Sequence, residues 1–258
     1  MKIRDAILMS ALIVLGHQNR ALFLNGNSAI DSKGEKVSPP EKIFLRAPAL
    51  PQYELAPKES NIFQQISNWL SPPSSYSEAK RLMRAATCED AFVRAVRMAI
   101  NPRHSGECNL GQVSDIFDYL YQNKVPLKDP VSREYFTSPL EYWKEHRGDC
   151  DDMAICMAVA ANAVGLLSRI VLANGDPAGH AYAEICLGKD VVSFKKYITA
   201  RYNLLHTNQV RFYRDEAGFQ WLNLDLNNAY PGGEYFDGER LFYYYTSEKQ
   251  WTDFPLRN

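Results

Sequence analysis

The chain has almost no net charge: 29 Lys and Arg against 30 Asp and Glu leave −1 at neutral pH over 258 residues. With both signs well mixed, no polyanion-binding face is advertised, and nucleic acid is not an expected partner. The five cysteines include no CxxC pair and no other short zinc-type spacing. No D-x-D-x-D-G calcium loop occurs, and no internal repeat. The apolar run Ala6–Leu15, broken only by Ser10, is too short to cross a bilayer comfortably. Metal and cofactor are therefore not expected, and any membrane association falls to residues 1–21.

What is present is globular. Apolar residues make up 46% and aromatics 12%, enough for a proper core in one ordinary domain with extensions. Lys2 and Arg4 ahead of the apolar run resemble a signal-peptide core, but Asp5 interrupts the basic region and no clear A-x-A site follows. An exported or anchored segment and an N-terminal helix packed on the domain both stand, so localisation is open between export and cytoplasm. Residues 22–76 read as a proline-rich arm, through Pro39-Pro40, Pro48, Pro51, Pro57 and Pro72-Pro73. Proline at that density blocks long helices and central strands. Within the arm, Ile62–Leu70 has the spacing of a short docking helix.

The ordered domain is expected over residues 77–258. Helical periodicity covers Ala79–Ile100, stopped by Asn101-Pro102, and then Leu110–Tyr121. Past Gly165 the pattern changes to strands at Ser168–Ala173, Ala181–Leu187, Gln209–Arg214, Phe219–Asp225 and Arg240–Thr246. The turn Asp215-Glu216-Ala217-Gly218 marks a hairpin, and Val191–Leu205 suits an amphipathic helical insert. The fold class is α+β: a helical N-terminal half whose central buried helix packs on an antiparallel sheet.

That central helix begins at Gly148-Asp149-Cys150-Asp151-Asp152 and runs through an Ala-rich apolar stretch to Gly165. Asp149 is the natural N-cap, and Gly165 suits the left-handed residue that closes a helix. A thiol in the first turn is biased toward thiolate by the helix dipole. Asp149, Asp151 and Asp152 push the other way, since nearby negative charge disfavours a second anion. A cation beside the sulfur settles the conflict, and an imidazolium is enough. His180 lies in Gly-His-Ala-Tyr-Ala-Glu-Ile at a strand start, and Asp225 in Trp-Leu-Asn-Leu-Asp at a strand end. Thiol catalysis needs a base that reaches the sulfur and a third group that orients the base. Asn223, Asn227 and Asn228 lie close enough to Asp225 to compete for that third place. Cys156 and Cys186 read as packing; Cys88 and Cys108 are either a disulfide or buried thiols. His17, His104, His146 and His206 have no comparable context.

The order Cys, His, Asp, carried by G-D-C-D-D-M-A, G-H-A-Y-A-E-I and W-L-N-L-D, resembles the transglutaminase-like superfamily over about residues 110–246. The resemblance implies a papain-like core, with Cys150 as nucleophile, His180 as general base and acid, and Asp225 orienting the imidazole. It also implies acyl transfer from an amide of a protein or peptide substrate, through a thioester. Compact prokaryote-type members are mostly regarded as cysteine peptidases, whereas animal transglutaminases carry extra β-domains that this sequence does not contain; hydrolysis is the expected outcome. Transfer to an amine, a non-catalytic binding module on the same fold and a zinc site at Cys150 and His180 are the alternatives. Cys150 N–H is a natural oxyanion donor; Gln112 or Trp143 is a candidate for the second, although Gln112 reads more readily as a solvated helix residue and Trp143 as a core aromatic.

Overall fold

The computed structural model describes residues 29–30, 36–37, 85–130, 135–176, 178–246 and 250–253. The expected segment 1–21 and the Ile62–Leu70 helix lie outside these residues. Two compact units divide the chain, Met1–Glu41 and Lys42–Asn258. In the first, β1 (Ala29–Ile30) pairs antiparallel with β2 (Lys36–Val37).

The second unit carries the α+β architecture. Its helices are α1 (Asp90–Ala99), α2 (Leu110–Asn123), α3 (Pro139–Glu145), α4 (Cys150–Ala163) and α5 (Val192–Arg201). A short parallel pair, β3 (Val125–Pro126) with β4 (Arg147–Gly148), joins the end of α2 to the start of α4. The main sheet is six-stranded and antiparallel throughout, in the order β10-β9-β5-β6-β8-β7. Its strands are β5 (Ser168–Asn174), β6 (His180–Cys186), β7 (Phe212–Arg214), β8 (Gln220–Asn223), β9 (Glu239–Tyr245) and β10 (Gln250–Asp253).

α4 is the hub because its sequence has no polar face. From Asp151 to Ala161 every residue is buried, and its alanines let β6 and α2 approach closely. Gly165 takes φ +95°, and the Leu166 N–H bonds back to Ala161 O at 3.1 Å, so the left-handed closure is realised. β6 is buried along its whole length. Ala181, Ala183 and Ile185 face the helical core, while Tyr182 and Cys186 face a second core with Leu167, Val171, Trp221 and Tyr243. Cys156 and Cys186 are packing residues, and Cys88 and Cys108 are both free thiols.

Three expected boundaries move. The helix drawn through Ala79–Ile100 is interrupted: residues 87–89 are non-helical and α1 begins only at Asp90, where an acidic first turn complements the dipole. The strand drawn over Gln209–Arg214 starts as a 3₁₀ turn at Thr207–Gln209, whose Gln209 side chain accepts from His206 N–H at 3.0 Å. The strand expected to reach Asp225 ends at Asn223, because Asn223 O accepts from Gly232 N–H at 2.7 Å and the chain turns. The expected hairpin is present, closed by Gly218 N–H to Asp215 O at 3.0 Å, with Trp221 Nε1 donating to Asp215 at 2.9 Å. The helical insert docks on α2 through Arg201, which bonds Asp115 at 2.8 Å and Asp118 at 2.9 Å.

One face of the sheet encloses charge. Arg169 (1% exposed) and Arg240 both bond Glu184 (0% exposed), the first at 2.6 Å and the second at 2.5 Å. The Arg169 guanidinium lies 3.6 Å from the Trp221 ring centroid and 3.9 Å from that of Tyr243; Arg240 lies 3.9 Å from Tyr213. Burial pushes the Glu184 carboxyl up, but the two guanidinium groups outweigh it and hold it below the usual carboxylate range.

Candidate active site

Cys150 is the first residue of α4, with Asp149 at the N-cap. The cap is built around Asp152 rather than the Asp149 side chain. Asp152 Oδ2 accepts from Asp149 N–H at 3.3 Å and Asp152 Oδ1 from Thr137 N–H at 2.6 Å, while Asp152 N–H is taken by Asp151 Oδ1 at 3.0 Å. Gly148 is required because a Cβ there would sit 2.3 Å from Asp152 Oδ2 and 2.6 Å from Asp152 Cβ. Gly148→Ala is expected to cost about 1–3 kcal/mol by overpacking. Since it displaces the same carboxylate that fixes the helix start, Cys150 labelling should fall along with the melting temperature. Thermal melts beside iodoacetamide labelling check this, and an unchanged melt would contradict it.

The acidic cluster carries less negative charge than its composition suggests. Burial pushes Asp151 well above the usual range, helped by its hydrogen bond to Asp149 and by the charges of Asp149, Cys150 and Asp152. Burial likewise lifts Asp152 to about 6, against the hydrogen bonds from Thr137 and Asp149 that favour its anion. Opposition to a neighbouring thiolate is correspondingly smaller. Asp149, Cys150 and Asp151 also bring one ligand atom each within 4.8 Å of one another.

His180 lies within hydrogen-bond reach of both Asp225 and Cys150. Its Nε2 lies 2.7 Å from Asp225 Oδ2, both side chains being 9% exposed. Burial alone lowers the imidazole pKa, but hydrogen bonds to Asp225 and Cys150, with the charges of both, reverse this and push it up to about 9. With Nε2 held by the carboxylate, Nδ1 is the nitrogen left to face the sulfur. Phe236 closes over the ring at 5.1 Å between centroids. Asp225 sits in the turn after β8, its N–H bonded to Asn223 Oδ1 and its Oδ1 accepting from Asn227 N–H, each at 2.9 Å. Of the competing asparagines, Asn223 and Asn227 thus support the Asp225 turn and the Asn228 side chain bonds Glu234 O instead; Asn227 Nδ2 reaches His180 Nε2 only at 3.4 Å.

A cavity of about 300 Å³ opens on these groups, lined by Cys150, His180, Asp225 and Asn227 together with Pro126–Lys128 of the β3 segment. Neither side chain weighed as second oxyanion donor belongs to its lining. Gln112 is consumed by the N-terminal cap of α2, where its Nε2 donates to His104 O at 3.0 Å and its Oε1 accepts from Asn109 N–H at 3.4 Å. Trp143 is a core aromatic, stacked on Tyr119 at 4.7 Å and edge-on to Phe92 at 5.5 Å. His146 is the left-handed C-cap of α3 rather than a plain loop residue, with φ +56° and its ring against Tyr119.

Sequence reasoning missed Lys124. It follows α2, donates Nζ to Leu226 O and lies over the Tyr121 ring at 4.3 Å; burial pulls its pKa below the usual lysine value, and the Asp225 charge only partly opposes this. Lysine after a helix end is too common to single out from sequence, and its partner lies 102 positions away. It pins the turn that carries Asp225.

Fold and site together define an α+β core with a cysteine at the mouth of its buried helix, facing a histidine–aspartate pair. The profile of the Transglutaminase-like superfamily matches residues 98–225, and this region is similar to that superfamily. Among solved structures it is similar to a putative cysteine protease from Cytophaga hutchinsonii, at 19% identity and TM-score 0.31, over 47% of this chain and 38% of that one. It is also similar to Legionella pneumophila LapG, at 16% identity and TM-score 0.37, over 64% of this chain and 80% of that one. Calcium-bound LapG aligns at 13% identity and TM-score 0.32, over 71% and 81%. The chain thus spans 38% of the length of the Cytophaga protein. No curated protein matches the chain. No described helix is long and apolar enough to cross a membrane.

Proposed function

We propose that the protein is a thiol hydrolase that cleaves an amide or peptide bond through Cys150, His180 and Asp225. The observation carrying this reading is the 2.7 Å His180–Asp225 contact bordering the same cavity as Cys150, with the imidazole raised to about 9. An imidazole so raised is protonated at neutral pH and pairs with a thiolate. The sulfur attacks the substrate carbonyl, and the oxyanion meets the Cys150 N–H, one of the unpaired donors at the helix start. His180 passes its proton to the leaving amine as the carbon–nitrogen bond breaks, leaving a thioester. Neutral His180 then takes a proton from water, whose oxygen displaces the sulfur and releases the carboxylic acid. Asp225 holds the ring and stabilises its cation throughout.

The pH profile tests the proton donor. Since Asp225 and Cys150 raise the His180 pKa, the competent cation is present below about 9 and lost as pH rises through it. Cleavage of a mixed peptide pool, followed by mass spectrometry, should show an alkaline limb near that value and vanish in Cys150→Ala. Asp225→Asn removes a raising influence and should move the limb to lower pH. Cleavage surviving in Cys150→Ala, or a limb that ignores Asp225→Asn, would sink the reading.

A further inference from the structure

We propose that the outer edge of the β3 segment binds the substrate as an extended peptide by strand addition, so that the scissile bond is delivered to Cys150; this rests on the thiol-hydrolase reading above. β3 is paired on one side only. Val125 N–H donates to His146 O at 2.7 Å and Leu127 N–H to Gly148 O at 2.8 Å, and these bonds occupy the edge facing β4. Backbone groups of successive residues in an extended strand point to opposite edges. The Pro126 carbonyl and Lys128 N–H therefore face outward, and neither has a hydrogen-bond partner among the described residues.

Three further observations point to a peptide. Pro126, Leu127 and Lys128 border the cavity that holds Cys150 and His180. The paired strand β4 ends at Gly148, two residues before the nucleophile, so the outer edge stands at a fixed distance from the sulfur. Val125 and Leu127 are 49% and 57% exposed, large apolar side chains that a folded protein leaves in water without stabilising benefit. An isolated two-stranded pair is marginal, and a third strand completes it. Pro126 has no N–H, so the edge offers one acceptor and one donor: enough to seat a short segment, not to propagate a ladder. Main-chain bonds then supply affinity, and the Val125 and Leu127 side chains favour apolar residues flanking the scissile bond.

The test uses the full chain and an N-acetylated tetra-alanyl fluoromethyl ketone, whose fluoride is displaced by the thiolate to leave a thioether on Cys150. Iodoacetamide, too small to reach the strand, is the reference. Lys128→Pro removes the outward N–H; Lys128→Ala keeps the N–H and removes only the side chain. Peptidyl labelling in Lys128→Pro is expected to slow about fivefold relative to Lys128→Ala, the worth of one net hydrogen bond. Iodoacetamide rates should agree within about twofold in both variants. N-methylating the peptide backbone should reproduce the loss. Equal peptidyl rates in the two variants, with normal iodoacetamide labelling, would overturn strand addition and leave the thiol chemistry standing. Absent iodoacetamide labelling in the unaltered protein would instead sink the hydrolase reading. Concentration-dependent dimerisation abolished by Lys128→Pro would give the edge to a second copy and overturn the proposal.

Discussion

His180→Ala should lower the rate of amide cleavage by about 10³, within the range for loss of a positioned acid–base group. The same variant should change the shape of Cys150 labelling by iodoacetamide more than its size. At pH 6 an ordinary thiol is ionised in about one molecule in 300, whereas an imidazolium-paired thiol is largely thiolate. Most of that gain is offset because a less basic thiolate is a weaker nucleophile, with a Brønsted slope of about 0.4–0.5. The expected net difference at pH 6 is about tenfold. The wild-type advantage should be largest at low pH and shrink as pH rises. Peptide mass spectrometry at Cys150 reads both curves, and superimposable profiles would mean that His180 does not activate the sulfur. His180→Gln, which keeps the bulk beneath Phe236, separates lost chemistry from lost packing.

Glu184→Gln should be the most damaging single change to stability away from the sulfur. It leaves the Arg169 guanidinium, 1% exposed, and that of Arg240 without the anion they share. Removing one partner of a buried ion pair costs about 3–5 kcal/mol. For a domain of this size that lowers the melting temperature by about 6–20 °C. The aromatic faces of Trp221, Tyr243 and Tyr213 retain some attraction for the cations, which places the expectation toward the lower end. A melt within about 2 °C of wild type would show that the aromatic cage alone accommodates both charges.

Much of the fold was legible because its signals are local. An Ala-rich apolar stretch between Asp149 and Gly165 has one reading, a buried helix, and the alternating pattern past Gly165 has one other. Cys150, His180 and Asp225 stood out because each sits at the end of such an element in a chemically unusual setting. What sequence hid is long-range. The Asp225 turn is shaped by Gly232, Asn223 and Lys124, and no spacing rule links Lys124 to a carbonyl 102 residues later. Gln112 belongs to a signal the sequence does carry, since Asn109 and Gln112 have the Asn-x-x-Gln spacing of a capping box. The interruption of the first helix at residues 87–89 was masked by a continuous apolar face through Phe92 and Val96.

The strand order also dictates when Cys150, His180 and Asp225 can come together. A ribosome emits Cys150 first and His180 next, with Asp225 a further 45 positions behind. β5 cannot gain its second neighbour until β9 emerges, where Ser168 meets Thr246 across 78 positions of chain. Pairings that distant close late and slowly, because loop entropy must be overcome first. A helix carrying Cys150 can form early, but its imidazolium waits for the sheet. On the proposed reading, the site that would cleave an amide is therefore assembled only after the strands that carry His180 and Asp225 have paired.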